Sequence, residues 1–299
     1  MRARRPISIA TAGAVLALAV AIPAQAQGKS ANHGNGKKST PPSRTPLPSP
    51  ITGPASGLSP IAWLDDATVL APGSMVLTVG AMRWSGVDLS ELDVPVIDAS
   101  VGVVNRFQLG ANVSRAVGSA DGSGVVGGFS TSYVTGKFAV LNGASGVKLA
   151  VSPTIEILGD GAMQALPPGQ SRTRFGLPVS VELTQGPARL FASTGFFTHG
   201  GWFAGGGGAF QATPRIGLSA SFTRSWATDD TTGTTITRQQ LSGGASYFVR
   251  PNIAVYGAIG RTIATADESG AGTTVGGGVT FLLTPARHVM DTRQRSAGI

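Results

Sequence analysis

Residues 147–157 read VKLAVSPTIEI and residues 174–183 read RFGLPVSVEL, and these two stretches decide the fold class. In both, apolar side chains alternate with polar ones, so that all the charges fall on one face. A period of two predicts β-strands with one apolar face and one polar face. A strand of about eleven residues is also long enough to cross a bilayer when it is tilted. The two stretches therefore predict part of a transmembrane β-barrel.

One antiparallel register pairs the charges of these two strands. If Glu156 lies opposite Arg174, then Lys148 lies opposite Glu182, because the residue numbers of both pairs have the same sum. We expect the first pair near the outer mouth of the barrel, the second near the periplasmic rim, and all four side chains inside. Together with Asp98 they are the candidate lumen-facing charges. They could line a water path, or they could simply hold the wall together.

Composition excludes several other classes of protein. The chain has 43 glycines and 6% aromatic residues, which is unusual for a helical or α/β enzyme. It has no cysteine, which excludes disulfides, thiolate metal sites and a lipid-attachment cysteine. No run of 18 apolar residues follows residue 26, which argues against helical membrane spans. The net charge of +8 belongs to the two ends of the chain, so we expect no nucleic-acid partner.

The chain divides into four parts. Residues 1–26 combine Arg2, Arg4 and Arg5 with an apolar core at 7–22 and end in Ala24-Gln25-Ala26, which predicts a cleaved signal peptide and export. Residues 27–60 are rich in Pro, Ser and Gly and predict a disordered linker, either a plain spacer or a tether to an acidic envelope polymer. The barrel is expected at 61–283, followed by a tail at 284–299. The expected location is the cell outer membrane.

Alternating segments recur along the whole predicted barrel. The twelve expected strands are 75–84, 97–103, 107–113, 129–141, 147–157, 174–183, 188–198, 202–212, 215–226, 235–249, 253–262 and 273–283. An even number of strands, with short turns mostly alternating with long connections, predicts a closed antiparallel up-and-down barrel in contact with a lipid bilayer. Both ends of the barrel domain then lie on the short-turn side, which we expect to face the periplasm. The long connections hold most of the body's acidic residues, which predicts an electronegative outer mouth.

Three short-turn units look alike: VVNRFQLG at 103–110, QATPRIGL at 211–218 and FVRPNIAV at 248–255. These hairpins, with Ala245-Ser246-Tyr247 before the last one, resemble the outer-membrane β-barrel proteins grouped with the phenol-degradation MetA-type transporters. The resemblance extends diffusely over residues 74–283. It implies a barrel through which small molecules, including apolar ones, pass passively, and it transfers no catalytic residues.

The last strand, GGGVTFLL at 276–283, resembles the signal by which assembly machinery recognises barrel proteins. Gly278, Phe281 and Leu283 occupy the expected places, which implies the barrel assembly machinery as a partner. The sequence departs from the signal at Gly276, where a polar residue is usual, and in the 16 residues that follow the strand.

Catalytic patterns are incomplete in this sequence. An outer-membrane phospholipase needs a serine beside a histidine, but the three histidines are His33, His199 and His288, and no serine stands two residues after His199. The glycine-rich run 203–209 lacks the Lys-Ser/Thr of a phosphate loop, and 121–124 is an incomplete calcium loop. We therefore predict no enzyme activity, no cofactor and no metal site. Passive passage is the leading hypothesis, and the alternatives are a non-conducting structural or adhesive barrel and a phospholipase-like hydrolase.

Overall fold

A computed structural model describes residues 66–86, 89–120, 124–142, 146–160, 163, 171–199, 201–228, 235–265 and 272–284. The described residues form fifteen strand segments, all in one antiparallel sheet. The segments are β1 Met75–Ser85, β2 Leu89–Val104, β3 Phe107–Ala120, β4 Gly124–Phe129, β5 Ser132–Asn142, β6 Val147–Val151, β7 Thr154–Ile157, β8 Thr173–Gly176, β9 Val179–Gln185, β10 Ala188–Phe197, β11 Gly201–Thr213, β12 Ile216–Thr228, β13 Thr235–Arg250, β14 Ile253–Thr265 and β15 Thr273–Leu283.

The segments combine into a closed ring. β1 pairs with β15 from Met75↔Leu283 to Ser85↔Thr273, so the first and last strands close the sheet. The pairs β4/β5, β6/β7 and β8/β9 each form one interrupted strand, and the described residues therefore make a barrel of twelve strands. The predicted closed antiparallel barrel and its strand number are confirmed. In the part of the chain that the structure describes, no helix has the length and hydropathy needed to cross a membrane.

Two of the strand interruptions contain a proline. The sequence predicts unbroken strands over 147–157 and 174–183, but the structure breaks them at Ser152-Pro153 and Leu177-Pro178. Proline has no N–H to donate to the sheet, so the ladder cannot run through it. The two breaks lie side by side, and the Ser152 N–H donates to the Pro178 carbonyl over 2.8 Å. The break leaves the predicted register intact on both sides.

Alternation gives the wall two chemically different faces. The outer face exposes large apolar side chains from every part of the ring, so the barrel contacts the lipid bilayer. Examples are Val79, Leu109, Phe175, Leu190, Phe222, Leu241, Ile259 and Val275. The opposite face is buried and polar. Its buried charges that the structure describes all come from β2 to β9, whereas β11 to β15 and β1 contribute neutral groups such as Thr78, Ser221, Thr223, Gln240, Thr262 and Thr280.

Glycine makes room for an aromatic ring where the barrel closes. A Cβ at Gly80 would lie 2.7 Å from the Tyr256 hydroxyl, and a Cβ at Gly278 would lie 2.9 Å from the same oxygen and 2.7 Å from the Gly80 Cα. Gly278, which the sequence assigns to an assembly signal, therefore also has a packing function within the finished wall.

The structure differs from the sequence-based expectation between the first two strands. The connection between the first two predicted strands, 75–84 and 97–103, is largely strand, because β2 begins at Leu89 and continues the hairpin with β1 through Ser85↔Ser90. Glu91 and Asp93 thus lie in a strand, and Asp93 is buried. The signal peptide, the linker and the tail from residue 285 onward lie outside the described residues.

Candidate functional site

The structure confirms the predicted register of the charged hairpin. Lys148 pairs with Glu182 between β6 and β9, and Glu156 pairs with Arg174 between β7 and β8. Lys148 and Glu182 lie beside the short turns that follow β5 and β9, whereas Glu156 and Arg174 lie beside the long connection after β7. Asp98 lies on another part of the wall, on β2, where its register partners are Thr78 and Asn112.

Five charged residues form one network at the short-turn end of the barrel. We call Asp66, Lys137, Lys148, Glu182 and Arg189 the short-turn cluster. The Glu182 carboxylate is almost fully buried and accepts from Lys148 Nζ over 3.0 Å and from Arg189 Nε and Nη2 over 3.1 and 3.0 Å. Asp66 Oδ2 lies 2.7 Å from Arg189 Nη2, and Asp66 Oδ1 lies 3.6 Å from Lys137 Nζ. Three cations thus face two carboxylates.

Asp66 belongs to a stretch of chain that lies inside the barrel. We call residues 66–73, which precede β1, the inner segment. The Thr68 hydroxyl donates to Glu182 Oε2 over 2.7 Å and accepts from Lys148 Nζ over 2.9 Å. The Ser180 hydroxyl donates to the Asp66 carbonyl over 3.1 Å, and Ala67 is only 1% exposed. The inner segment is therefore fixed to the buried polar face of the wall.

The inner segment continues from this cluster to the other side of the mouth. The Leu70 N–H donates to Gln108 Oε1 on β3 over 2.9 Å, and the Gly73 N–H donates to the Gly102 carbonyl on β2 over 2.7 Å. A side chain at Gly102 would overlap the Leu70 and Ala71 carbonyl oxygens, which explains the glycine there. Contacts of the segment thus extend from β10, the seventh strand of the ring, to β2, the second. Its contacts therefore lie along half of the circumference at the short-turn end.

The pair near the long connections is less tightly bound. Glu156 is 3% exposed and accepts one hydrogen bond, from the Tyr133 hydroxyl over 3.0 Å. Arg174 Nη1 lies 3.9 Å from Glu156 Oε2, which is an ion pair without a hydrogen bond. Among the described residues, Glu156 Oε2 and Arg174 Nε have no hydrogen-bond partner. The register brings these two residues together, but Glu156 accepts one hydrogen bond, whereas Glu182 accepts several.

Sequence reasoning missed three members of the short-turn cluster. Lys137 and Arg189 each stand on the polar side of an alternating strand, opposite Gln108 and Thr184, so their position in the alternation was a usable signal. Asp66 carried no such signal, because it precedes the first strand.

Of the three histidines, His199 lies within the described residues, whereas His33 and His288 lie outside them. His199 is exposed at the tip of the β10–β11 hairpin, with a positive φ of 68°. Within the described residues, no group of three or more His, Cys, Asp or Glu side chains could hold a metal ion.

Comparisons with known proteins identify outer-membrane channels as structural relatives. The COG4313 outer membrane channel from Pseudomonas putida F1 matches with a TM-score of 0.55 and 13% identity over 76% of this chain and 100% of that one. The NanC porin matches with a TM-score of 0.51 and 12% identity over 69% of this chain and 100% of that one. At such identities the likeness shows the fold. No protein-family model and no curated protein matches the sequence.

Proposed function

We propose that this protein is an outer-membrane barrel through which small molecules pass passively. The observation that supports this proposal most is the contrast between the two faces of a closed wall. Apolar side chains cover the outside, while hydroxyl, amide and charged groups cover the inside. A plain structural barrel does not require a hydrophilic interior on all sides, whereas a path for solutes in water does. In this proposal the short turns face the periplasm and the long connections face outward.

The interior chemistry supports hydrophilic permeants. Neutral Ser, Thr and Gln side chains of β11 to β15 face the charged side chains of β2 to β10 across the barrel. Passage of apolar molecules, implied by the resemblance to the MetA-type transporters, stays a prediction. Recognition of Gly278, Phe281 and Leu283 by the assembly machinery stays a prediction as well.

The inner segment acts, in this proposal, as the constriction of the path. It lies across half of the short-turn mouth and is held there by the carboxylate of Asp66, which contacts Arg189 and Lys137. Removing that charge weakens the attachment of the segment and leaves three cations facing one carboxylate. Both the size and the ion preference of the path would then change.

Conductance across a planar bilayer tests the proposal. The purified full chain should give channel events, and Asp66→Asn should give a larger conductance with a shift towards anions. Asp160→Asn is the matched control, because Asp160 also pairs with an arginine, Arg172, over 2.9 Å, but is exposed at the long-connection end. The control should conduct like the wild type.

The alternatives make different predictions for the same sample. If well-folded protein and both variants give no channel events, passive passage is wrong and a structural or adhesive barrel becomes the better hypothesis. If the protein conducts and the two variants behave alike, the barrel is a channel but the inner segment is not its constriction. Lipid hydrolysis that disappears in His199→Ala would instead support the phospholipase-like alternative.

A further inference from the structure

Four arginines point outward from the apolar face of the barrel. Arg83, Arg115, Arg224 and Arg261 are all exposed, and we call them the arginine belt. Each lies two to five residues before the end of its strand at the long-connection side of the wall. Among the described residues, none of the four forms an ion pair with a carboxylate.

Register shows that these cations stand within the lipid-facing surface. Cross-strand partners share a face of the sheet. Arg83 is opposite Val275 and Leu92, Arg115 is opposite Phe129, and Arg261 is opposite Leu241 and Thr273. All of these partners except Thr273 are exposed apolar residues.

The fourth arginine, Arg224, has Ala204 and Gln239 as register partners, and its large apolar neighbours lie on its own strand. Arg224 stands between Phe222 and Trp226 on the outer face of β12, and its guanidinium lies 5.0 Å from the centre of the Trp226 ring. The Trp226 ring attracts the guanidinium. In membrane barrels, aromatic residues on the outer face stand at the level of the headgroup layer.

The arginine belt has a regular spacing. In the ring the order is β12, β13, β14, β15, β1, β2, β3, and the four arginines stand on every second strand. Neighbouring strands are about 4.8 Å apart, so successive arginines are separated laterally by roughly 10 Å. Phosphate groups of adjacent headgroups could therefore each meet a separate guanidinium.

A lipid phosphate is the partner that fits this surface. An arginine in the hydrocarbon centre of a bilayer costs about 2–4 kcal/mol, and the cost falls to about 0–1 kcal/mol near the interface. The belt therefore belongs at the level of the headgroups, and a guanidinium there can bind a phosphate through two parallel hydrogen bonds. We propose that the arginine belt binds the phosphate groups of anionic lipids in the leaflet at the long-connection end.

Unfolding in vesicles of defined composition tests this inference without reference to conductance. The full chain is folded into phosphatidylcholine vesicles with and without phosphatidic acid, whose headgroup is a phosphate monoester. Phosphatidic acid should raise the urea midpoint of the wild type. The variant Arg83→Gln/Arg115→Gln/Arg261→Gln should lose that shift, whereas inorganic phosphate added to neutral vesicles should produce none.

A second triple variant controls for overall charge. Arg106, Arg215 and Arg250 are exposed at the short turns, and their replacement by Gln removes the same three charges. This control should keep most of the shift in urea midpoint. An equal loss of the shift in both triple variants would overturn the inference in favour of general electrostatic attraction to the anionic surface. If the belt variant does not fold, Arg→Lys at the same three positions retains charge but not the bidentate geometry. A full shift in that Lys variant would overturn binding through paired guanidinium bonds.

Discussion

Glu182→Gln should destabilise the barrel far more than the same substitution at Glu156. Both carboxylates are buried, at 1% and 3% exposure. Glu182 accepts hydrogen bonds from Thr68, Lys148 and Arg189. A glutamine amide carries no negative charge, so Lys148 and Arg189 would lose the charge that they face. Removing one partner of a buried ion pair costs about 3–5 kcal/mol, and the lower end applies here because the Lys148 side chain is 23% exposed.

Glu156→Gln provides the matched comparison. Its carboxylate has one hydrogen bond from Tyr133 and an ion contact at 3.9 Å, so little favourable pairing is lost. Neutralising a poorly paired buried charge also relieves its desolvation, and the net change should be about 1 kcal/mol or less. Urea unfolding in lipid vesicles, followed by tryptophan fluorescence, measures both free energies. Equal losses of unfolding free energy in the two variants, with the same slope of that free energy against urea concentration, would refute the importance that we assign to the short-turn cluster.

Three further predictions concern the wall. Gly278→Ala should reduce the yield of folded barrel in a gel-shift assay, because the new methyl group would overlap the neighbouring strand. Gly243→Ala should fold normally in the same assay, because its Cβ would lie 3.6 Å from the Ser219 carbonyl oxygen, which is an ordinary contact distance. Ile259 lies at the middle of β14 on the lipid face, and Ile259→Arg should lower the free energy of unfolding in vesicles by about 2–4 kcal/mol. Val249 lies near a strand end, and Val249→Arg should lower it by about 0–1 kcal/mol. Equal costs would contradict the assigned membrane position. Tyr133→Phe should cost about 1 kcal/mol by leaving Glu156 without its hydrogen bond, and no change in the urea midpoint would contradict that contact.

Local alternation was sufficient to predict the wall. A period of two fixes which side chains share a face, and opposite charges at matching positions fix a register, so Lys148↔Glu182 and Glu156↔Arg174 followed from the sequence. The same reasoning could not judge how well each pair is bonded. That depends on what else reaches the carboxylate, and the two pairs differ in this respect.

The sequence by itself therefore determined a closed twelve-stranded barrel with one apolar and one polar face. Only the tertiary structure decided what occupies its interior and how the outer arginines are arranged. Asp66 and Arg189 are far apart along the chain, and their contact at 2.7 Å exists because barrel closure places the short-turn ends of all the strands around one mouth. The arginine belt likewise appears only when β12, β14, β1 and β3 take their places in the ring, because spacing between strands is absent from the sequence of any single strand.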